Sequence, residues 1–276
     1  MVIDGKEEEE LEVTTGLPQG SLVSPILFII CVSGIHRAGE GEGLVRSPSF
    51  VDDVIWIAHG RSVREVRVKL EGAARRAIAW RCSNGVTFES AKTEAILFSR
   101  NRRHWKDRGR ETVTVGSRQI PFNVRTTRWL GIYLDSRLGF SEHATRSTQR
   151  ARIAEKRLSS MVARHGVPPL VARHLQEAIA GSTLIYGSEI TWKGQAGMRR
   201  AFQKSINRMS RASVGVLSST PVAFLQAEGG SVPAGARLYR RQEAFAIRLA
   251  STIPGPHRDL LQATSSLGRR LRGRIR

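Results

Sequence analysis

The chain has 276 residues, and its 44 Lys and Arg outnumber its 24 Asp and Glu to give a formal charge of +20. With 40% apolar residues it can bury the core of one large domain or two modest ones, which excludes a disordered polypeptide. So large a positive excess is out of place on an ordinary metabolic enzyme and points to a polyanionic partner, nucleic acid first. Cys31 and Cys82 lie far apart, which excludes a disulfide framework or a Cys/His zinc array and fits a reducing compartment. The apolar stretch 22–32 is too short for a bilayer and follows an acidic segment, so neither a signal peptide nor a membrane span is expected, and the chain reads as soluble and intracellular.

In chain order, residues 2–15 predict a short hairpin with Asp4-Gly5 in its turn and a second strand near Leu11–Thr14. A helix follows over 21–36, with Pro25 tolerated in the first turn because the amide it lacks has no helical partner there. The Gly-rich connector 39–43 leads into paired strands at 49–52 and 54–58, which puts Asp52 and Asp53 at the bend. Ser62 and Glu65 form a capping-box pattern, and Val63, Val66, Leu70, Ala74 and Ala77 make one apolar stripe ending near Asn84-Gly85, so a helix is expected there. Residues 95–98, 112–115 and 129–134 read as strands, the middle one turning at Gly116-Ser117.

Beyond Ser141 the period changes to that of helices, over 141–164, 169–186, 197–216 and 233–253, broken at Pro168-Pro169, at 194–197 and at Gly229-Gly230. The expected organisation is an α/β part over 1–140, a helical part over 141–254 and a basic tail over 255–276 containing Arg269, Arg270, Arg272, Arg274 and Arg276. Such a tail can hold phosphates without reading sequence, or simply be solvated.

The chemistry centres on Asp52-Asp53, since phosphoryl transfer uses carboxylates to hold divalent metals. Alone, an Asp-Asp pair between β-branched strands is more often a turn. The segment Gly16-Leu17-Pro18-Gln19-Gly20-Ser21 upstream changes that balance. Its two glycines allow close backbone approach, Pro18 fixes a turn, and Gln19 offers an amide that a plain helix entry does not need. Lys92 could neutralise a leaving pyrophosphate or be one solvated lysine among many. Gly131 permits close approach of another backbone or marks a bulge, and Trp129 stacks on a base or packs in a core. Arg150, Arg152, Lys156 and Arg157 read as a phosphate-tracking face or as ordinary helix surface, and Arg164, Arg208 and Arg211 are candidates for the same face.

Taken together, these segments resemble the reverse transcriptases of non-LTR (LINE-type) retrotransposons. The resemblance rests on Gly16 to Ser21 continuing through Pro25-Ile26-Leu27-Phe28, on Phe50-Val51-Asp52-Asp53, on Lys92-Thr93-Glu94, and on Trp129 to Asp135, in family order. Weaker matches follow at Tyr186-Gly187-Ser188-Glu189, Ile206 to Met209 and Thr220-Pro221.

The resemblance implies an α+β fold: part of a right-hand polymerase palm, an antiparallel sheet with helices, followed by an all-helical thumb and C-terminal region. It implies Asp52 as the primary ligand of Mg²⁺ with Asp53 auxiliary. Gly16, Pro18, Gln19, Gly20 and Ser21 would lie against template and incoming nucleotide, Lys92 near the nucleotide phosphates, and Trp129, Leu130 and Gly131 against the primer. The implied partners are an RNA template and a DNA primer, and the implied location is nuclear.

The family carries a further metal-binding Asp on an earlier palm strand, and Asp4 stands too close to Gly16 to be that residue. The expectation is therefore an N-terminally truncated polymerase, inactive alone and completed by the missing N-terminal half. The alternative is a non-catalytic basic RNA- or DNA-binding remnant.

Overall fold

The structure is a computed structural model and describes residues 2–3, 6–7, 16–18, 20–39, 44–99, 101, 104, 110–122, 124–227 and 229–252. Two compact units divide the chain, Met1–Val124 and Arg125–Arg276. The expected second strand near Leu11–Thr14, Gln19 and the basic tail 255–276 lie outside the described residues.

In the first unit, β1 (Val2–Ile3) pairs antiparallel with β2 (Lys6–Glu7), a partner strand nearer in sequence than the one expected near Leu11–Thr14. Helix α1 (Ser24–Gly39) begins one turn later than expected, because Ser24 Oγ donates to Pro18 O at 2.7 Å and ties the first helical turn back onto the preceding loop. The predicted strand pair around the aspartates is two smaller ladders: β3 (Leu44–Arg46) pairs with β6 (Ile57–Ala58), and inside it β4 (Ser49–Phe50) pairs with β5 (Asp53–Val54).

Helix α2 (Val63–Asn84) runs between the predicted caps. Ser62 Oγ accepts from Glu65 N at 3.2 Å, and Gly85 closes the helix at φ +65°. Its buried Ala73, Ala74 and Ala77 form the inner face. Gly34 of α1 lies under the Trp80 indole, where a Cβ would stand 2.4 Å from Nε1. The same helix packs on β7 (Thr112–Val115), whose partner β8 (Arg118–Pro121) completes a hairpin with Val113, Ile120 and Phe122 buried. Leu22, Val23, Ile26, Leu27, Ile29 and Ile30 are exposed on and just before α1.

The expected antiparallel palm sheet is not one sheet: the described strands form separate two-stranded pairs. Residues 95–98, expected as a strand, join no ladder. An apolar β-prone run makes an extended chain favourable, but a strand exists only where another strand edge lies alongside to satisfy its backbone groups.

The second unit opens with β9 (Thr126–Trp129) and β10 (Ile132–Asp135), a hairpin with a two-residue turn at Leu130-Gly131; residue pattern alone reads 129–134 as one strand, whereas the family resemblance implies a hairpin here. Both turn residues have positive φ, +46° and +78°, the backbone that lets a tight hairpin follow the natural strand twist. Asp135 then organises the entry to α3 (Ser141–His165) by accepting the backbone N–H groups of Arg137, Gly139 and Phe140 at 3.1, 3.0 and 2.5 Å.

After the Pro168 break, α4 (Pro169–Leu175), a π-turn over Gln176–Gly181 and α5 (Ser182–Ile185) form one continuous rod where a single helix was predicted. Helices α7 (Ala196–Val214) and α9 (Ala234–Thr252) match their predicted spans, while the short α6 (Ser188–Thr191) and α8 (Val222–Ala227) were not foreseen. Leu184, Trp192, Phe202, Ile206, Met209 and Leu238 make the centre of this unit's core. Around it, Arg208–Glu155, Arg237–Glu177 and Arg241–Glu189 ion pairs tie neighbouring elements. No described helix is long and apolar enough to cross a membrane.

Candidate functional site

The tip of the β4–β5 hairpin carries the carboxylates. Phe50 faces Asp53 across the ladder, which leaves Val51 and Asp52 as the two-residue turn. Val51 adopts φ +53°, a region that a β-branched side chain enters only against steric resistance, and such strain is concentrated at functional positions in proteins. Phe50, Val51, Asp52 and Asp53 are all exposed. Asp52 therefore projects from the turn itself while Asp53 sits on the strand, so the two carboxylates differ in placement as the sequence suggests.

The base of this hairpin is anchored by a residue with no sequence signal, His36 of α1. Its Nδ1 lies 2.6 Å from Ser47 O and its Nε2 3.0 Å from Ser49 Oγ. The imidazole thus clips the strand before Asp52 to the helix that follows the Gly16–Ser21 segment.

In that segment Gly16 and Gly20 take φ of +104° and +93°, with nothing within 4 Å of where a Cβ would stand. The glycines serve the backbone turn and leave open space beside it. Pro18 O accepts from both Ser21 N and Ser24 Oγ, and Ser21 Oγ accepts from Val23 N at 3.3 Å.

Lys92 lies in a 3₁₀ turn (Ser90–Lys92) and bonds Glu89 at 2.6 Å. Its ammonium holds its proton more tightly than usual, mainly through the hydrogen bond to Glu89, next through that carboxylate's charge, with the Asp52 charge adding to the effect. The fold therefore brings Lys92 within electrostatic reach of Asp52, 40 positions earlier in sequence.

Adjacent carboxylates are the right donor type for a hard divalent cation. Among the described residues, however, no group of three or more His, Cys, Asp or Glu converges. The residues present fit one part of a divalent-metal site and do not complete one.

In the second unit, the Trp129-Leu130-Gly131 tip is held from inside. Tyr186 Oη donates to Leu130 O at 2.8 Å, and its ring edge fills the space a Gly131 Cβ would need, 2.9 Å from Cε1. Trp129 is half-buried, and its buried Nε1 has no hydrogen-bond partner among the described residues. His143, buried at the start of α3, donates from Nε2 to Tyr186 O at 2.9 Å and accepts Tyr133 N–H at Nδ1, 3.4 Å away. Burial holds this imidazole below the usual histidine range, which fits the neutral tautomer those bonds require.

Arg150, Arg152, Lys156 and Arg157 are exposed on α3. Lys156 and Arg157 line a shallow open depression with Ser160, Met161, Arg164 and His165. Arg208 and Arg211 do not share this surface role: Arg208 pairs with the buried Glu155 at 2.6 Å, and Arg211 donates to Thr220 O.

The family described as reverse transcriptase (RNA-dependent DNA polymerase) matches residues 1–134. The chain is 22% identical over 202 residues to the Pol polyprotein from type-1 retrotransposable element R1 of Nasonia vitripennis, covering 72% of this chain and 58% of that protein. It is 27% identical over 150 residues to the probable RNA-directed DNA polymerase from transposon X-element of Drosophila melanogaster, covering 53% of this chain and 16% of that one. With the RNA-directed DNA polymerase from mobile element jockey of the same species it shares 23% identity over 221 residues, covering 76% and 23%. The chain thus spans less than two thirds of each of these relatives. No solved structure matches it. The family match runs through Gly16–Ser21, Asp52-Asp53, Lys92 and the Trp129–Leu134 segment, and together with these relatives it supports a reverse transcriptase of the non-LTR retrotransposon type.

Proposed function

We propose that the chain supplies the C-terminal part of the palm and the thumb of an RNA-directed DNA polymerase, and that its completed form extends a DNA primer on an RNA template. The observation that carries this reading is the exposed Asp52-Asp53 tip of a two-residue hairpin whose Val51 takes φ +53°. In nucleotidyl transfer the primer 3′-hydroxyl attacks the α-phosphate of the incoming nucleotide and pyrophosphate leaves.

Asp52 is assigned as the primary carboxylate and Asp53 as the auxiliary one. Lys92 is assigned to the charge developing on the departing pyrophosphate, where a fixed cation favours the transition state over the ground state. Gly16, Pro18, Gln19, Gly20 and Ser21 line the template and nucleotide, and Trp129 to Gly131 lie by the primer. The further carboxylate that the site lacks among the described residues, and the Mg²⁺ it would help hold, come with the rest of the polymerase. A nuclear location follows if the template is copied at chromosomal DNA.

The test is primer extension on an RNA template with Mg²⁺. Completed with the remaining polymerase sequence, the chain extends the primer and Asp52→Ala abolishes extension. Retention of extension by Asp52→Ala overturns the assignment.

A second reading, a non-catalytic nucleic-acid-binding protein, is favoured by the exposed α3 cations. Among the described residues no carboxylate pairs with Arg152, Lys156 or Arg157. It predicts salt-sensitive binding that Asp52→Ala leaves unchanged, and no extension in any assembly.

A further inference from the structure

Three guanidiniums gather around one phenol ring in the second unit. Arg128 stands directly opposite Tyr133 in the β9–β10 register, and its guanidinium carbon lies 6.0 Å from the ring centroid. Arg146 and Arg150, one turn apart on α3, place theirs at 5.3 and 5.4 Å, and Arg150 Nη2 also donates to Tyr133 Oη at 2.8 Å. All three arginines are exposed. Glu142 binds Arg146 Nε at 2.8 Å; among the described residues no carboxylate pairs with Arg128 or Arg150.

At an exposed site the attraction of each cation to the ring and the repulsion between cations are both small and of similar size, so fold stability alone does not account for the gathering. An anion seated among the three adds an attraction to each cation that offsets the repulsion between them, and guanidinium is the side chain best shaped to hold phosphate through two parallel N–H donors. The place is an open surface, which suits a continuous strand better than a small nucleotide. The α3 face carrying Arg146 and Arg150 continues to Arg157, two turns further on.

We propose that Arg128, Arg146 and Arg150 form a binding site for the phosphodiester backbone of nucleic acid, with Tyr133 holding the three guanidiniums in place. The site rests on the reading of the second unit as nucleic-acid-binding. Tyr133 acts as a positioning residue: its ring is occupied by arginines and its hydroxyl by Arg150, so it is not a platform for bases.

The experiment is anisotropy of a fluorescent RNA–DNA hybrid titrated with the full chain over a series of salt concentrations. Removing Arg128 and Arg150 together as glutamines lowers the slope of log affinity against log salt by about 0.7–0.9 per guanidinium. Tyr133→Leu, which changes no charge, weakens binding about threefold, and Tyr133→Phe keeps most of it. The paired control Arg200→Gln with Arg240→Gln, on α7 and α9, removes equal charge and lowers the slope less. Circular dichroism checks that each variant is folded; if Tyr133→Leu is not, the arginine pair decides. Equal slopes for the site pair and the control pair overturn this site alone. No hybrid binding by the unaltered chain overturns it together with the nucleic-acid reading of the second unit. Loss of binding to anionic phospholipid vesicles with hybrid binding intact also overturns the assignment.

Discussion

Replacing Gly131 by alanine tests how the hairpin tip of the second unit is held. At φ +78° an L-residue costs about 1–2 kcal/mol relative to glycine. The added Cβ would also stand 2.9 Å from Tyr186 Cε1, closer than carbon atoms approach, so the ring must move. Tyr186 is half exposed and has room to swing outward, which limits the further cost to roughly that of the Tyr186 Oη–Leu130 O hydrogen bond, about 0.5–1.5 kcal/mol.

The expected total is about 1.5–3.5 kcal/mol. Gly166→Ala provides the reference: φ there is +59° with nothing within 4 Å of a Cβ, so only the backbone cost of about 1–2 kcal/mol applies. Urea unfolding followed by near-ultraviolet circular dichroism reads the comparison, since Trp192 packs edge-on against Tyr239 with ring centroids 4.8 Å apart and reports this unit's core. In a Tyr186→Ala background the excess cost of Gly131→Ala should vanish. Equal destabilisation by the two glycine substitutions, or an excess that persists without the Tyr186 ring, would refute the reasoning.

The buried imidazole of His143 gives a pH dependence. Its folded pKa is lowered from 6.5 by burial, so the unfolded chain takes up the proton first as pH falls. The stability it contributes is therefore full above 6.5 and is lost as pH falls through the lower folded value; His143→Gln should flatten that part of the stability–pH curve measured by urea unfolding. Phe202 is completely buried, and Phe202→Ala should cost about 3–5 kcal/mol in the same assay. Asp135→Ala leaves the N–H groups of Arg137, Gly139 and Phe140 without their acceptor, and a loss of about 1–3 kcal/mol is expected; hydrogen exchange at Phe140 should rise with it. Gly34→Ala drives a Cβ to 2.4 Å from Trp80 Nε1, so the Trp80 emission should shift as α1 is displaced from α2, and an unchanged spectrum would show the contact to be looser.

Much of this molecule is written locally. The helix from Val63 to Asn84 follows from Ser62, the apolar stripe and Gly85, because caps and period act within a few residues of chain. The turn at Gly116-Ser117, the break at Pro168-Pro169 and the placement of Asp52 at a hairpin tip are legible for the same reason. The motifs Gly16–Ser21 and Phe50–Asp53, with their order and spacing, were enough to point to the family whose pattern matches residues 1–134.

What the chain could not specify locally is which distant groups meet. Residues 95–98 have strand-like composition yet find no partner edge among the described residues, while Trp129–Leu134 folds back on itself because Leu130 and Gly131 both take positive φ. His36 carries no motif, and only the packing of α1 beside the strand from Ser47 makes it the anchor of the aspartate hairpin. Lys92 feels the charge of Asp52, and the Tyr186 ring packs beside Gly131, across 40 and 55 positions. Arg128 and Arg150 converge on Tyr133 because a hairpin register and a helix face are set against each other. Periodicity and turn chemistry act over one or two turns of chain and so can be read in order, whereas contacts between elements depend on how their buried faces close over a shared core, which only the folded chain decides.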